Sequence, residues 1–149
     1  MSVIRLEPRL LSGVAALEKA VFKSPWSEKS LELLCSKTAF GFAALEGDVV
    51  IAYGGMLTVL DEGQITNIAT HPDCRRQGLA ARVLCALLDE ARARGIASVT
   101  LEVRMSNAAA IALYEKFGFV VVGKRPRFYT QPTEDALIMQ LKTSGQNTP

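Results

Sequence analysis

The sequence predicts an α+β domain built around one mixed β-sheet, and two observations carry that expectation. Strand-like segments follow one another from Phe40 to Thr70 with only short turns between them, the pattern of an antiparallel meander. The stretch from Gln64 to Val103 then reads strand, amphipathic helix, strand, a βαβ unit whose two strands run parallel through a right-handed crossover. A meander joined to a parallel pair gives a mixed sheet, with about seven strands, a central parallel pair and about four helices.

The elements read in order. Val3 to Glu7 alternates apolar and polar residues and forms a short strand. Leu10, Leu11, Val14, Leu17 and Val21 recur at helical spacing over about Pro8 to Phe22. Ser27 is an N-cap candidate for a second, short helix with Leu31, Leu34 and Cys35 on one side. Two strands meet at a hairpin on Glu46-Gly47-Asp48, and Asp61 to Gly63 turns the chain into the third. Leu79, Val83, Leu84, Leu87, Leu88 and Ala91 mark an amphipathic helix that Gly95 stops. A strand over Ala97 to Val103, a helix from Asn107 to about Phe117 ended by Gly118, and strands "FVVVGK" and "DALIMQL" complete the set.

The chain has 149 residues, the length of one domain. Residues 1–142 are expected to form it, with 143–149 a polar tail. That length buries about two-thirds of the unfolded surface, so neither disulfide nor metal is needed for stability. A net charge of +2 is too weak to imply direct nucleic-acid binding. Three cysteines without C-x-x-C spacing read as reduced thiols of a cytoplasmic protein. No signal peptide opens the sequence and no run of 18 apolar residues occurs, so no membrane partner is expected. One histidine and no ligand cluster leave no metal site to predict. A monomer or weak dimer is the default.

The segment "HPDCRRQG" lies between the strand "TNIAT" and the long helix. The first N–H groups of a helix lack internal partners, and the dipole places partial positive charge there. Arg75 and Arg76 add full charges, and Gly78 admits a close ligand. Phosphate is the natural guest. The nucleotide P-loop and dinucleotide patterns are both absent. A solvated basic helix start fits these residues as well as an anion site does.

In the strand after the helix, Val99, Leu101 and Val103 face one side and Thr100, Glu102 and Arg104 the other. Glu102 is thus a carboxylate within an apolar strand. It reads either as a surface position, or an ion pair with Arg104, or as a general base. Asn107 suits a helix cap, with or without a ligand. Tyr114, seven residues on, shares its helix face, as a half-buried aromatic or a functional one. Cys74 and His71 are too close in sequence to suggest a nucleophilic dyad.

Four blocks taken together resemble one family. "SPWSE", "TNIATHPDCRRQGLA", "LEVRMSNAAAIALYEKFGF" and "EDALIMQL" occur in the order of the RimI-type N-terminal alanine acetyltransferases of the GNAT superfamily. Within them Arg75-x-x-Gly78-x-Ala80 matches the loop that cradles the pyrophosphate of acetyl-CoA. The resemblance implies the GNAT fold and acetyl transfer from acetyl-CoA to a protein N-terminal α-amine, that of the eighteenth small-subunit ribosomal protein. It implies Glu102 as general base and Tyr114 as general acid. It assigns cofactor contacts to Ile68, Ala69 and Thr70 at the strand end, to Arg75, Arg76, Gln77, Gly78, Leu79, Ala80 and Ala81, and to Asn107. Trp26 and Tyr129 become candidate substrate contacts, although a core role suits Trp26 equally. One segment departs from the family: in "RPRFYTQPTEDA", Phe128 stands for a tyrosine, Thr130 for a proline, and the loop to Glu134 is shorter by about two residues. Acceptance of lysine or a small amine therefore stays open, as does a silent CoA-binding module.

Overall fold

The structure is a computed structural model and describes residues 2–143. The polar residues 144–149 expected as a tail lie outside it. Thr143, assigned to that tail from sequence, is buried, and its N–H donates to the Ala97 carbonyl at 2.8 Å.

Seven strands form one sheet: β1 (Ser2–Arg5), β2 (Ala39–Glu46), β3 (Val49–Val59), β4 (Glu62–Thr70), β5 (Ser98–Arg104), β6 (Val120–Tyr129) and β7 (Glu134–Lys142). Their order is β1-β2-β3-β4-β5-β7-β6, and only β4 and β5 are parallel. The helices are α1 (Leu11–Val21), α2 (Glu28–Leu31), α3 (Leu79–Ala93) and α4 (Ala108–Lys116). Ser27 caps α2 as expected, its hydroxyl accepting the Ser30 N–H, and Gly95 (φ 78°) closes α3. Leu31 and Leu34 are buried, whereas Cys35 is exposed.

The sheet separates two cores. On one face Leu79, Val83, Leu84, Leu87 and Leu88 of α3 meet Val99, Leu101 and Val103 of β5 and Tyr114 of α4. On the other, Val14 and Leu17 of α1 and Leu31 and Leu34 pack on Ala43, Tyr53 and Ala69. β5 alternates as its sequence requires, so Thr100, Glu102 and Arg104 face away from α3.

Two boundaries differ from expectation. The turn from β3 to β4 is at Leu60-Asp61, with Leu60 at φ 55° and 95% exposed, while Glu62 and Gly63 already pair in β4. β6 runs on to Tyr129 because its charged half still pairs with β7, irregularly, up to Tyr129↔Glu134.

The feature that shapes the site lies at the centre of the sheet. β4 and β5 pair only at Glu62↔Ser98, Gly63↔Val99 and Gln64↔Thr100, and then part. Just beyond, a β-bulge sets Thr66 and Asn67 of β4 against the single residue Gly55 of β3. A bulge bends its strand, and here it turns β4 away from β5.

α3 approaches β3 so closely at Gly54 that a Cβ there would lie 2.8 Å from Val83 Cγ1 and 2.9 Å from Leu87 Cδ1. Gly54→Ala is expected to cost about 1–3 kcal/mol of stability through overpacking. Urea unfolding measures it, and an unchanged midpoint would show that α3 yields at no cost.

Candidate active site

The gap between β4 and β5 opens into a cavity of about 770 Å³ that reaches both faces of the sheet. Ile65 to Ile68 of β4 and Leu101 to Arg104 of β5 form its two edges. The His71 N–H donates to the Ile51 carbonyl at 2.8 Å. Hydrogen-bonded pairs alternate along an antiparallel ladder, so the N–H of Ala69 also points at β3. The N–H and C=O groups of Ile68 and Thr70 therefore face the gap. The Ala69 side chain is buried in the α1 core, so of these three residues Ile68 and Thr70 turn their backbone groups to the gap. Thr66 Oγ1, in the bulge, is buried without a hydrogen-bond partner among the described residues.

At the end of β4 the chain passes through the loop with Arg76 and Gly78 both at positive φ (67° and 72°). The first internal α3 bond runs from the Arg82 N–H to the Gly78 carbonyl, so the N–H groups of Leu79, Ala80 and Ala81 stay free of helix partners. A Cβ at Gly78 would meet nothing within 4 Å, which leaves open space in front of them. The Leu79 side chain lies in the core and only its backbone is available. Arg75 lines the cavity. The His71–Cys74 segment is a capped turn in which His71 Nδ1 accepts the Asp73 N–H at 3.1 Å.

Glu102 reaches the cavity from the α1 face of the sheet. Its side chain is 16% exposed and pairs with Arg125 at 3.0 Å, not with the Arg104 considered from sequence. Gln64 Nε2 donates to it at 3.3 Å, just where β4 and β5 part. Arg104 instead pairs with Glu134 at 3.1 Å, donates to the Thr130 and Pro132 carbonyls, and lies 4.5 Å over the Tyr129 ring. Hydrogen bonds from Ser106 and Arg104 hold the Glu134 carboxyl below its usual range.

Tyr114 reaches the same cavity from the opposite face. It is 8% exposed and packs on Phe119. Burial first, and Tyr129 second, raise its pKa to about 12. Asn107, on the same helix face, caps α4 by accepting the Ala110 N–H at 3.1 Å and also lines the cavity. Trp26 and Tyr129 line it on the Glu102 side. Trp26 also packs against the α1 core, as its core reading expects. The parting of β4 from β5 thus brings together a carboxylate and a phenol that belong to opposite faces of one sheet.

The family model described as the Acetyltransferase (GNAT) family matches residues 11–119. The chain belongs to the GNAT acetyltransferase family. The [ribosomal protein bS18]-alanine N-acetyltransferase of Escherichia coli strain K12 is 39% identical over 96% of this chain and 98% of its own length. The protein of that name from Salmonella typhimurium is 40% identical over 86% and 88%. The crystal structure of the E. coli ribosomal-protein-S18-alanine N-acetyltransferase superposes with a TM-score of 0.88 at 38% identity, covering 99% of this chain and 98% of that one. This GNAT domain is an acetyl-CoA-dependent N-acetyltransferase. Its cleft fits that substrate: free α3 N–H groups suit a pyrophosphate, and the unpaired β4 edge suits an amide-bearing arm.

Sequence reading missed four residues that shape this site. Thr66 and Asn67 line the cleft from the β4 bulge, Gln64 reaches Glu102 from the last β4–β5 pair, and Arg125 on β6 reaches Glu102 past the intervening β7. One further residue had a visible signal: Glu18 is an acid on the buried stripe of α1.

Burial raises Tyr53 and Tyr129 as well as Tyr114, and these are the chain's three tyrosines. A folded pKa above the unfolded value means stability complete below about pH 10, then lost as pH rises through the folded values. Ultraviolet titration of phenolate is expected to show no tyrosine ionising at its ordinary value in the native state. A group that ionises near pH 10 before unfolding would contradict the burial described.

Proposed function

We propose that the protein acetylates the N-terminal alanine of ribosomal protein bS18, using acetyl-CoA in the cytoplasm. The observation that carries this reading is the meeting of Glu102 and Tyr114 across the gap, one from each face of the sheet. The names of the full-length relatives supply the acceptor. A monomer or weak dimer is the state proposed for the protein.

The amine must be neutral to attack the thioester. An α-amine has a pKa near 7.8 against about 10.4 for lysine, so deprotonating it at neutral pH costs about 3.5 kcal/mol less. A carboxylate is base enough for that task, which fits Glu102 and a site without a facing histidine. Glu102 takes the amine proton as the C–N bond forms, directly or through one water. The Ile68 N–H, aimed into the gap, donates to the carbonyl oxygen as it gains charge. As the C–S bond breaks, Tyr114 gives its proton to sulfur. A phenol raised to about 12 is fully protonated before that moment. The apolar walls that disfavour phenolate disfavour thiolate too, so the transfer is not opposed by the whole difference between the two acids.

Arg75, Arg76, Gln77, Gly78 and the N–H groups of Leu79, Ala80 and Ala81 hold the pyrophosphate. Ile68 and Thr70 align the pantetheine arm, and Asn107 completes that wall. Trp26 and Tyr129 border the acceptor. The loop 130–133 that departs from the family is tied down by Arg104 through the Thr130 and Pro132 carbonyls, so it keeps a fixed edge despite its altered sequence.

Thiol release from acetyl-CoA with peptides that begin with alanine, begin with methionine or carry an internal lysine tests the reading. Turnover is expected on the alanine peptide, and turnover on lysine alone would overturn it. Glu102→Gln is expected to lower kcat by about 10²–10⁴-fold while the acetyl-CoA KM stays near wild type. An unchanged kcat across pH would remove Glu102 as the base.

A further inference from the structure

α1 carries a carboxylate on its buried face that the chemistry above does not use. Glu18 has no exposed surface. Its Oε1 accepts the Trp26 N–H at 2.9 Å, and its Oε2 accepts Asn67 Nδ2 at 2.8 Å and the Tyr53 hydroxyl. Tyr53 is itself fully buried, and burial with the neighbouring carboxylate drives its pKa upward. A buried carboxylate is costly unless its lone pairs are met, and apolar residues of the same volume often serve stability as well. Stability alone therefore gives no reason for an acid at this position.

Its partners give one. Asn67 belongs to the β4 bulge, and Trp26 lies in the connection between α1 and α2. Both line the cavity, on the face where Glu102 sits. We propose that Glu18 is a positioning residue for the acceptor. By holding the Trp26 backbone and the Asn67 side chain on one carboxylate, it fixes the acceptor wall of the cleft to the bulge that opens it. Acetyl-CoA, bound through β4 backbone and the start of α3, does not depend on it. This inference rests on the reading that the acceptor enters on the Glu102 face.

The test is a double variant, Glu18→Leu with Tyr53→Phe, which replaces the buried pair by apolar groups of similar volume. Tyr53→Phe alone is the control, since it leaves Glu18 bonded to Trp26 and Asn67. Steady-state kinetics with acetyl-CoA and the alanine peptide are read beside acrylamide quenching of Trp26, the chain's single tryptophan. The double variant is expected to raise the peptide KM about tenfold or more, the effect of losing bonds to a charged acceptor. Its acetyl-CoA KM and kcat stay near wild type, and Trp26 becomes more accessible to the quencher. The control stays near wild type in all four readings. Should the double variant fail to fold, Glu18→Gln carries the same comparison with a smaller rise. An unchanged peptide KM, a parallel rise in both KM values, or unchanged quenching would overturn the proposal. If the wild type does not turn over the alanine peptide, the functional reading fails instead, and the quenching comparison still decides whether Glu18 holds Trp26.

Discussion

The site depends on two strands that stop pairing. β4 and β5 share only three residue pairs before they separate, although both continue for several residues more. Backbone N–H and C=O groups left unpaired in a sheet centre are costly, because nearly all such groups find partners in folded proteins. Ile68 and Thr70 on one edge, and β5 on the other, therefore present a ladder waiting for a substrate backbone. The bulge at Thr66 and Asn67 makes this geometry possible by bending β4 just past the last shared pair. In the proposed reading, the extended, amide-bearing arm of acetyl-CoA fills this gap as a missing strand would.

The same gap explains how a sheet can join chemistry on its two sides. Glu102 points to the α1 face because β5 alternates, and Tyr114 rises from α4 into the opposite core. Only an opening through the sheet lets both reach one cavity. In the proposed reaction the amine arrives on one face and the thiol departs towards the other. Each wall then has its own anchor. Arg104 ties the β6–β7 loop to β5, and Glu18 ties the α1–α2 connection to the bulge.

Much of this was legible in the sequence, and the rest was hidden for physical reasons. Apolar periodicity placed the helices and the parallel pair, and strand alternation put Glu102 on the correct face. The departures fall where local signals mislead. Leu60 reads as a strand residue yet occupies a turn at positive φ. The charged run after Lys124 reads as loop because its pairing with β7 is irregular. The bulge left no mark, since "TNIAT" contains neither glycine nor proline. The partner of Glu102 was misjudged because Arg125 is distant in sequence and comes near only when β6 lies beside β7. The loop residues were assigned through family resemblance, and the structure adds that Leu79 and Ala69 have no free side chain to offer.

The central claim is that the open edge of β4 receives acetyl-CoA. Backbone amide resonances along β4, followed by NMR as acetyl-CoA is added without acceptor, test it most directly. The account predicts large shifts and slowed exchange at the Ile68 and Thr70 N–H groups, with the Ala69 N–H, already bonded to β3, little changed. Shifts confined to other strands, with Ile68 and Thr70 unmoved at saturation, would contradict it.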